Sequence, residues 1–115
     1  MITEIYNEAQ FQAAIESKGA ILFKHSTSCS ASAGAYREVM SFAESHPEIP
    51  VYIIKVIEQR SFSNRFAEHF QIQHASPQII VIRDGQAVQH YSHHRITCSA
   101  IENSMLCFPY NSLIL

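Results

Sequence analysis

Ala20-Ile21-Leu22-Phe23-Lys24-His25-Ser26-Thr27-Ser28-Cys29-Ser30-Ala31-Ser32 is the stretch on which the fold turns. Ala20 to Lys24 is a near-continuous apolar run after the turn residue Gly19, the pattern of a central strand covered on both faces. From Ser30 to about Glu44 there is no Pro, and Ala33, Tyr36, Val39, Met40 and Ala43 follow helical spacing up to a stop at His46-Pro47. Cys29 therefore stands where a strand has ended and a helix begins. The free N–H groups of a first helical turn and the helix dipole favour thiolate over thiol. Three residues on, where a dithiol site would carry its second cysteine, the chain has Ser32. Any redox chemistry here is expected to run on one thiol.

Working outward, Ile2 to Ile5 reads as a short strand, and Asn7 caps a helix with Gln10 three positions later and Phe11, Ala14 and Ile15 on one face. Gly19 is expected to end that helix. Pro50 to Ile57 is rich in β-branched residues and reads as a second buried strand, parallel to the first across the intervening helix. Ser63 is expected to cap a short helix carrying Phe66, Ala67 and Phe70. Gln78 to Arg83, then Asp84-Gly85, then Gln86 to Tyr91 form the strongest hairpin signal, because Asp-Gly fits a type I′ turn. Thr97 caps a last helix, with Ile96 and Ile101 spaced as a hydrophobic staple. Gly34, inside the long helix, costs about 1 kcal/mol relative to Ala unless something packs closely against it.

The order strand, helix, strand, helix, strand, helix, strand, strand, helix predicts an α/β fold. It is similar to that of thioredoxin-like proteins: a three-layer sandwich with a mixed central sheet, a C-terminal β-hairpin and helices on both faces. The chain of 115 residues is expected to be a single domain, 1–115, of which 106–115 is a tail with no assigned role. A formal net charge of -2 without a basic or acidic block argues against nucleic acid and anionic membranes as partners. No apolar run approaches the roughly 18 residues of a membrane helix, and Met1 is followed by polar and acidic residues rather than an export signal. A soluble, cytoplasmic protein is the expectation. Three cysteines, Cys29, Cys98 and Cys107, without repeated spacing do not make a disulfide framework.

Phe23 to Ala33 resembles the active-site region of monothiol bacilliredoxins, small thioredoxin-like proteins of bacillithiol-producing bacteria. The likeness extends through Val51 to Val56, Ser76-Pro77 and the Asp84-Gly85 hairpin. The family motif commonly reads Thr-Cys-Pro-Ile-Ser; here Cys29 and Ser32 match, while Ser30 and Ala31 replace Pro and Ile. The resemblance implies that Cys29 is the nucleophile of a thiol-disulfide oxidoreductase. It implies thiolated client proteins and a low-molecular-weight thiol as partners, bacillithiol as thiol co-substrate, and no bound cofactor. It also implies a cis Pro77 facing the cysteine, with the Ser76 backbone offered to substrate.

For the neighbouring residues two readings stand side by side. Ser32, one turn below Cys29, either hydrogen-bonds the thiolate or satisfies its own helix. Ser30 brings a backbone N–H and a hydroxyl close to the sulfur. Thr27 and Ser28 are either donors to the sulfur or caps. His25 either pairs with the thiolate as imidazolium or is a satisfied or solvated loop histidine. His90, His93 and His94 cluster without a metal-ligand spacing, so no metal is assigned. Cys98, at a helix start, is either acidified and resolving or merely packed. Beyond an enzyme, a non-catalytic binding domain on the same scaffold and a thiol redox sensor remain the alternatives.

Overall fold

The computed structural model describes residues 1–105 as a five-stranded mixed sheet with helices on both faces. In chain order the elements are β1 (Ile2–Glu4), α1 (Glu8–Ile15), β2 (Gly19–His25), α2 (Ser30–Ser45), β3 (Val51–Lys55), α3 (Arg60–Phe70), β4 (Gln78–Arg83) and β5 (Gln86–Ser92). A 3-10 turn (His93–Arg95) and a last helix, α4, over 98–105 follow. Across the sheet the strands run β1-β3-β2-β4-β5, with β1 and β2 parallel to β3, β4 antiparallel to β2, and β5 antiparallel to β4. The α/β sandwich expected from the element order is the fold observed.

Strand alternation sorts the core into two layers. Ile21 and Phe23 of β2 meet Val51 and Ile53 of β3, Ile79 and Val81 of β4, and Val39 and Phe42 of α2, with Ile101 and Met105 closing the layer. Leu22, Ile54, Ile80 and Ile82 point the other way, against Phe11, Ala14 and Ile15 of α1 and Phe66 of α3. Every side chain from Ala20 to Phe23 is fully buried, and so is Lys24. The central position of β2 is therefore what the apolar run was read to mean.

Local signals hold where the chemistry is short-range. Asn7 and Gln10 form the reciprocal capping box, with the Gln10 N–H donating to Asn7 Oδ1 at 3.0 Å. Asp84 (φ 51°) and Gly85 (φ 74°) both take the left-handed conformation that a type I′ turn needs. Their N–H groups donate to the carbonyls of Lys18 (3.0 Å) and Ser17 (2.9 Å), so the hairpin tip docks on the α1–β2 loop. Thr97 Oγ1 accepts the Ala100 N–H at 3.1 Å, and Ile96 and Ile101 are both buried across that cap.

Several expectations need correction. Helix α1 ends at Ile15, and Gly19 opens β2 instead of closing the helix. The intervening Ser17 and Lys18 are turned aside to receive the hairpin tip. Ser63 does not cap α3, which begins at Arg60; Ser63 sits inside it, 1% exposed, on the same buried face as Phe66. The strand expected over Pro50 to Ile57 is shortened to Val51–Lys55. The buried face of α2 is Ser32, Ala35, Val39, Phe42 and Ala43, which leaves Ala33 and Tyr36 exposed. The tail, with Cys107, lies outside the described residues.

Candidate functional site

The last residues of β2 and the first turn of α2 build the site. Cys29 is the N-cap of α2 in an extended conformation (φ -117°, ψ 125°), and its carbonyl accepts the N–H groups of Ser32 (3.1 Å) and Ala33 (3.2 Å). Its side chain makes no capping hydrogen bond, and the residue is half-buried.

One buried hydroxyl holds the turn before it. Ser32 Oγ accepts the Ser26 N–H at 2.9 Å and bonds His25 Nδ1 at 2.7 Å. Ser32 is fully buried, and its hydroxyl serves neither the thiolate nor its own helix, contrary to both sequence readings. The chain folds back after β2, which brings His25 and Ser26 beside the first turn of α2. Ser26 Oγ lies 3.3 Å from Ser28 Oγ, whereas Thr27, Ser28 and Ser30 are exposed.

Of the two readings of His25, the structure favours the satisfied histidine over the imidazolium. The ring is buried between Phe23 (centroids 5.3 Å apart) and Tyr36 (5.0 Å). Burial, and next the positive charge of Lys55, lower its pKa against the weaker pull of Glu58 and Glu4. The neutral ring is thus favoured, and it acts as a packed, hydrogen-bonded wall.

A cavity of about 300 Å³ opens at the thiol, lined by His25, Ser26, Thr27, Cys29, Ala33, Tyr36 and Arg37. Ala33, Tyr36 and Arg37 escaped the sequence reading as site residues. The signal was present: Cys29, Ala33 and Arg37 are spaced by four, which puts them on one stripe of α2, and Tyr36 flanks that stripe.

The Ser76–Pro77 peptide bond is cis, and Pro77 is buried. Gln78 pairs with Lys24, so this bond lies at the end of the sheet where β2 releases the chain toward Cys29. Neither Ser76 nor Pro77 lines the thiol cavity; Ser76 Oγ is buried without a hydrogen-bond partner, and the Pro77 carbonyl accepts the His93 N–H at 3.1 Å. Cys98 is not acidified: burial, then Glu102 and Glu38, raise its pKa, while its N–H donates to Glu38 Oε1 at 2.8 Å. His90, His93 and His94 are exposed, and no group of three or more His, Cys, Asp and Glu among the described residues is placed to hold a metal. No described helix is long and apolar enough to cross a membrane.

A family model described as monothiol bacilliredoxin BrxC matches residues 2–101. The chain belongs to the monothiol bacilliredoxin family. Membership makes it a thiol oxidoreductase of thioredoxin fold. Among solved structures, one described as having a thioredoxin fold is 27% identical, covering 90% of this chain and 92% of its own, with a TM-score of 0.82. Mitochondrial thioredoxin 3 of Saccharomyces cerevisiae, in its oxidized form, is 17% identical over 93% of this chain and 95% of its own, with a TM-score of 0.71. The oxidised thioredoxin of Plasmodium falciparum is 11% identical over 94% and 98%, with a TM-score of 0.72. At those identities the two thioredoxins speak for the fold alone.

Proposed function

We propose that this bacilliredoxin-family chain removes bacillithiol, or a related low-molecular-weight thiol, from protein mixed disulfides in the cytoplasm, with Cys29 as nucleophile. The observation that carries the reading is the placement of Cys29 as the N-cap of α2, half-buried at the mouth of an open cavity, with Ser32 in place of a second cysteine.

In the first step the Cys29 thiolate attacks the small-thiol sulfur of the mixed disulfide. The bond to the client breaks, and the client sulfur leaves as a thiolate that takes a proton from water. Cys29 now carries the small thiol. A second small-thiol molecule, as thiolate, attacks that sulfur, releasing a symmetric small-molecule disulfide and restoring the Cys29 thiolate. Neither step requires a bound cofactor. In this scheme Thr27, at the cavity wall, and Ser28 and Ser30, exposed beside Cys29, contact the incoming disulfide. The backbone at Ser76 and Pro77 orients it. Ser32 is a positioning residue that acts through His25 and Ser26, and Arg37 gives the cavity a fixed positive charge suited to an acidic small thiol.

The test is mass spectrometry of the intact protein mixed with a bacillithiolated peptide, followed by addition of free bacillithiol. The expected result is an adduct on Cys29, release of the peptide thiol, and repeated turnover once free thiol is added, all lost in Cys29→Ser. Parallel reactions with glutathione and coenzyme A mixed disulfides identify the preferred small thiol. An adduct without turnover would leave a redox sensor, and release no faster than with Cys29→Ser would leave a binding domain.

A further inference from the structure

The buried amine of Lys24 lies behind Ser63 and His74, two residues that line a second cavity which thiol chemistry does not use. Lys24 and His25 are consecutive in β2, so their side chains leave opposite faces of the sheet. His25 turns toward α2 and the thiol. Lys24 turns toward α3, where Nζ donates to the Ser63 carbonyl at 3.1 Å and lies 3.2 Å from His74 Nδ1. An ammonium has only donors, so while Lys24 is charged His74 Nδ1 must accept and the ring proton sits on Nε2. Two of the three ammonium protons are thereby used.

Beside this pair opens a cavity of about 290 Å³ lined by Val56, Ile57, Arg60, Ser63, Asn64 and His74. Three independent features give it one chemical character. Arg60 is the first residue of the 11-residue helix α3, and the N-cap, Gln59, supplies no side-chain bond, so the positive helix end and a guanidinium meet here. Ser63 is 1% exposed, and its Oγ has no hydrogen-bond partner although the residue lines the cavity. Lys24 is fully buried, and no ion pair offsets its charge among the described residues. The charges that act on His74 are likewise both cations, Lys24 and Arg60. A buried charge without a counter-charge and a buried hydroxyl without a partner are each costly, and one group relieves both: an anion with oxygen acceptors.

We infer that the cavity over Lys24 is a binding site for a small oxyanion, a carboxylate or a phosphate, held by the Ser63 hydroxyl and the Arg60 guanidinium in the field of Lys24. A carboxylate or phosphate oxygen takes the Ser63 Oγ–H, and Arg60 offers the two parallel N–H groups that match either anion. The site is separate from the thiol cavity and does not require Cys29.

The experiment is NMR titration of the 15N-labelled full chain at neutral pH and constant ionic strength, once with succinate and once with inorganic phosphate. Saturating shifts are expected at the Ser63 and Asn64 amides and the His74 ring, and the anion that saturates at the lower concentration identifies the source. Arg60→Ala, at an exposed position, is expected to weaken binding by about ten-fold, one lost charged contact. Ser63→Ala is the sharper variant. Its hydroxyl has no partner in the free protein, so the fold loses no hydrogen bond, yet anion affinity is expected to fall several-fold. Arg37→Ala, in the thiol cavity, is expected to leave binding unchanged. Linear shifts with both anions, saturation indifferent to Arg60→Ala and Ser63→Ala, or loss of binding in Arg37→Ala would each overturn the inference. Because none of these readouts uses Cys29, failure here is distinguishable from failure of the thiol-transfer reading.

Discussion

Lys24 and His25, neighbours in β2, carry two buried basic side chains to opposite faces of the sheet, and the two faces solve the same problem differently. On the α2 face the buried base is held neutral by its surroundings, stacked between aromatic rings and tied to the Ser32 hydroxyl. On the α3 face the buried base keeps its proton at neutral pH, with a carbonyl and a histidine nitrogen as its partners. The first cavity contains a nucleophile and no buried fixed charge. The second has a buried charge behind its wall and no thiol in its lining. A single strand thus delivers a reactive cysteine to one side and an unbalanced cation to the other, with the period of two deciding which.

The largest expected effect tests the charged side. Burial lowers the Lys24 pKa from 10.5 to about 8. Between those values the unfolded chain binds more protons than the fold, so Lys24 makes stability rise with pH through that window and contributes a constant penalty below it. The full swing is on the order of 3 kcal/mol. Cys98, Tyr91 and Tyr6, all raised, lean the other way at higher pH, but they are retained in Lys24→Met. The difference between the urea-unfolding free energies of the two proteins, followed with pH, therefore isolates Lys24. A difference that stays flat from neutral pH to about 10 would mean that Lys24 is solvated in the fold, and the contrast between the two faces would fail.

The neutral side is tested by Ser32→Ala. Removing the hydroxyl leaves the buried Ser26 N–H and His25 Nδ1 without their partner, at an expected cost of about 1–3 kcal/mol in denaturant unfolding. Because the clamp fixes the turn before Cys29, the rate of adduct formation at Cys29 is expected to fall as well. Ser32→Thr, which keeps the hydroxyl, is expected to recover part of the rate. A loss of stability with an unaltered rate would show that Ser32 serves the fold alone.

What the sequence made legible was set by how local each interaction is. The Asn7–Gln10 box, the Asp84-Gly85 turn and the Thr97 cap are settled by side chains within three residues of the backbone they serve, and all appear as read. The burial of Ala20 to Lys24 follows from composition, although nothing in that run says that the lysine's partner is His74, fifty residues away. Ser32 and Ser63 were misassigned for the same reason. Serine near a helix start reads as a cap or a thiolate donor, whereas here each is buried by the packing of a helix on the sheet, one bonded to a fold-back and the other left unpaired. Ala33 and Tyr36 count in the sequence only for their helical spacing and Arg37 for nothing, and only the direction in which α2 leaves β2 shows that their stripe faces the thiol.

The smallest expected effect lies at Gly34, on the thiol side. A glycine inside a helix costs about 1 kcal/mol relative to alanine, and close packing is the usual reason to keep one. That reason is missing here: a Cβ built at Gly34 meets only Arg37 Nη2, at 3.9 Å, an ordinary contact with the far end of a flexible side chain. Gly34→Ala is therefore expected to raise stability by about 1 kcal/mol, read as a higher denaturant midpoint with an unchanged slope. The contact also fixes what else to measure. Arg37 lines the thiol cavity, so a methyl group beneath its guanidinium restricts the side chain that would meet an acidic small thiol. If Gly34→Ala is more stable yet slower in thiol transfer, and Arg60 and Ser63 keep their response to oxyanions, the glycine maintains the mobility of Arg37. If rate and stability rise together, Gly34 has no part in the thiol site, and the two faces differ in their buried bases alone.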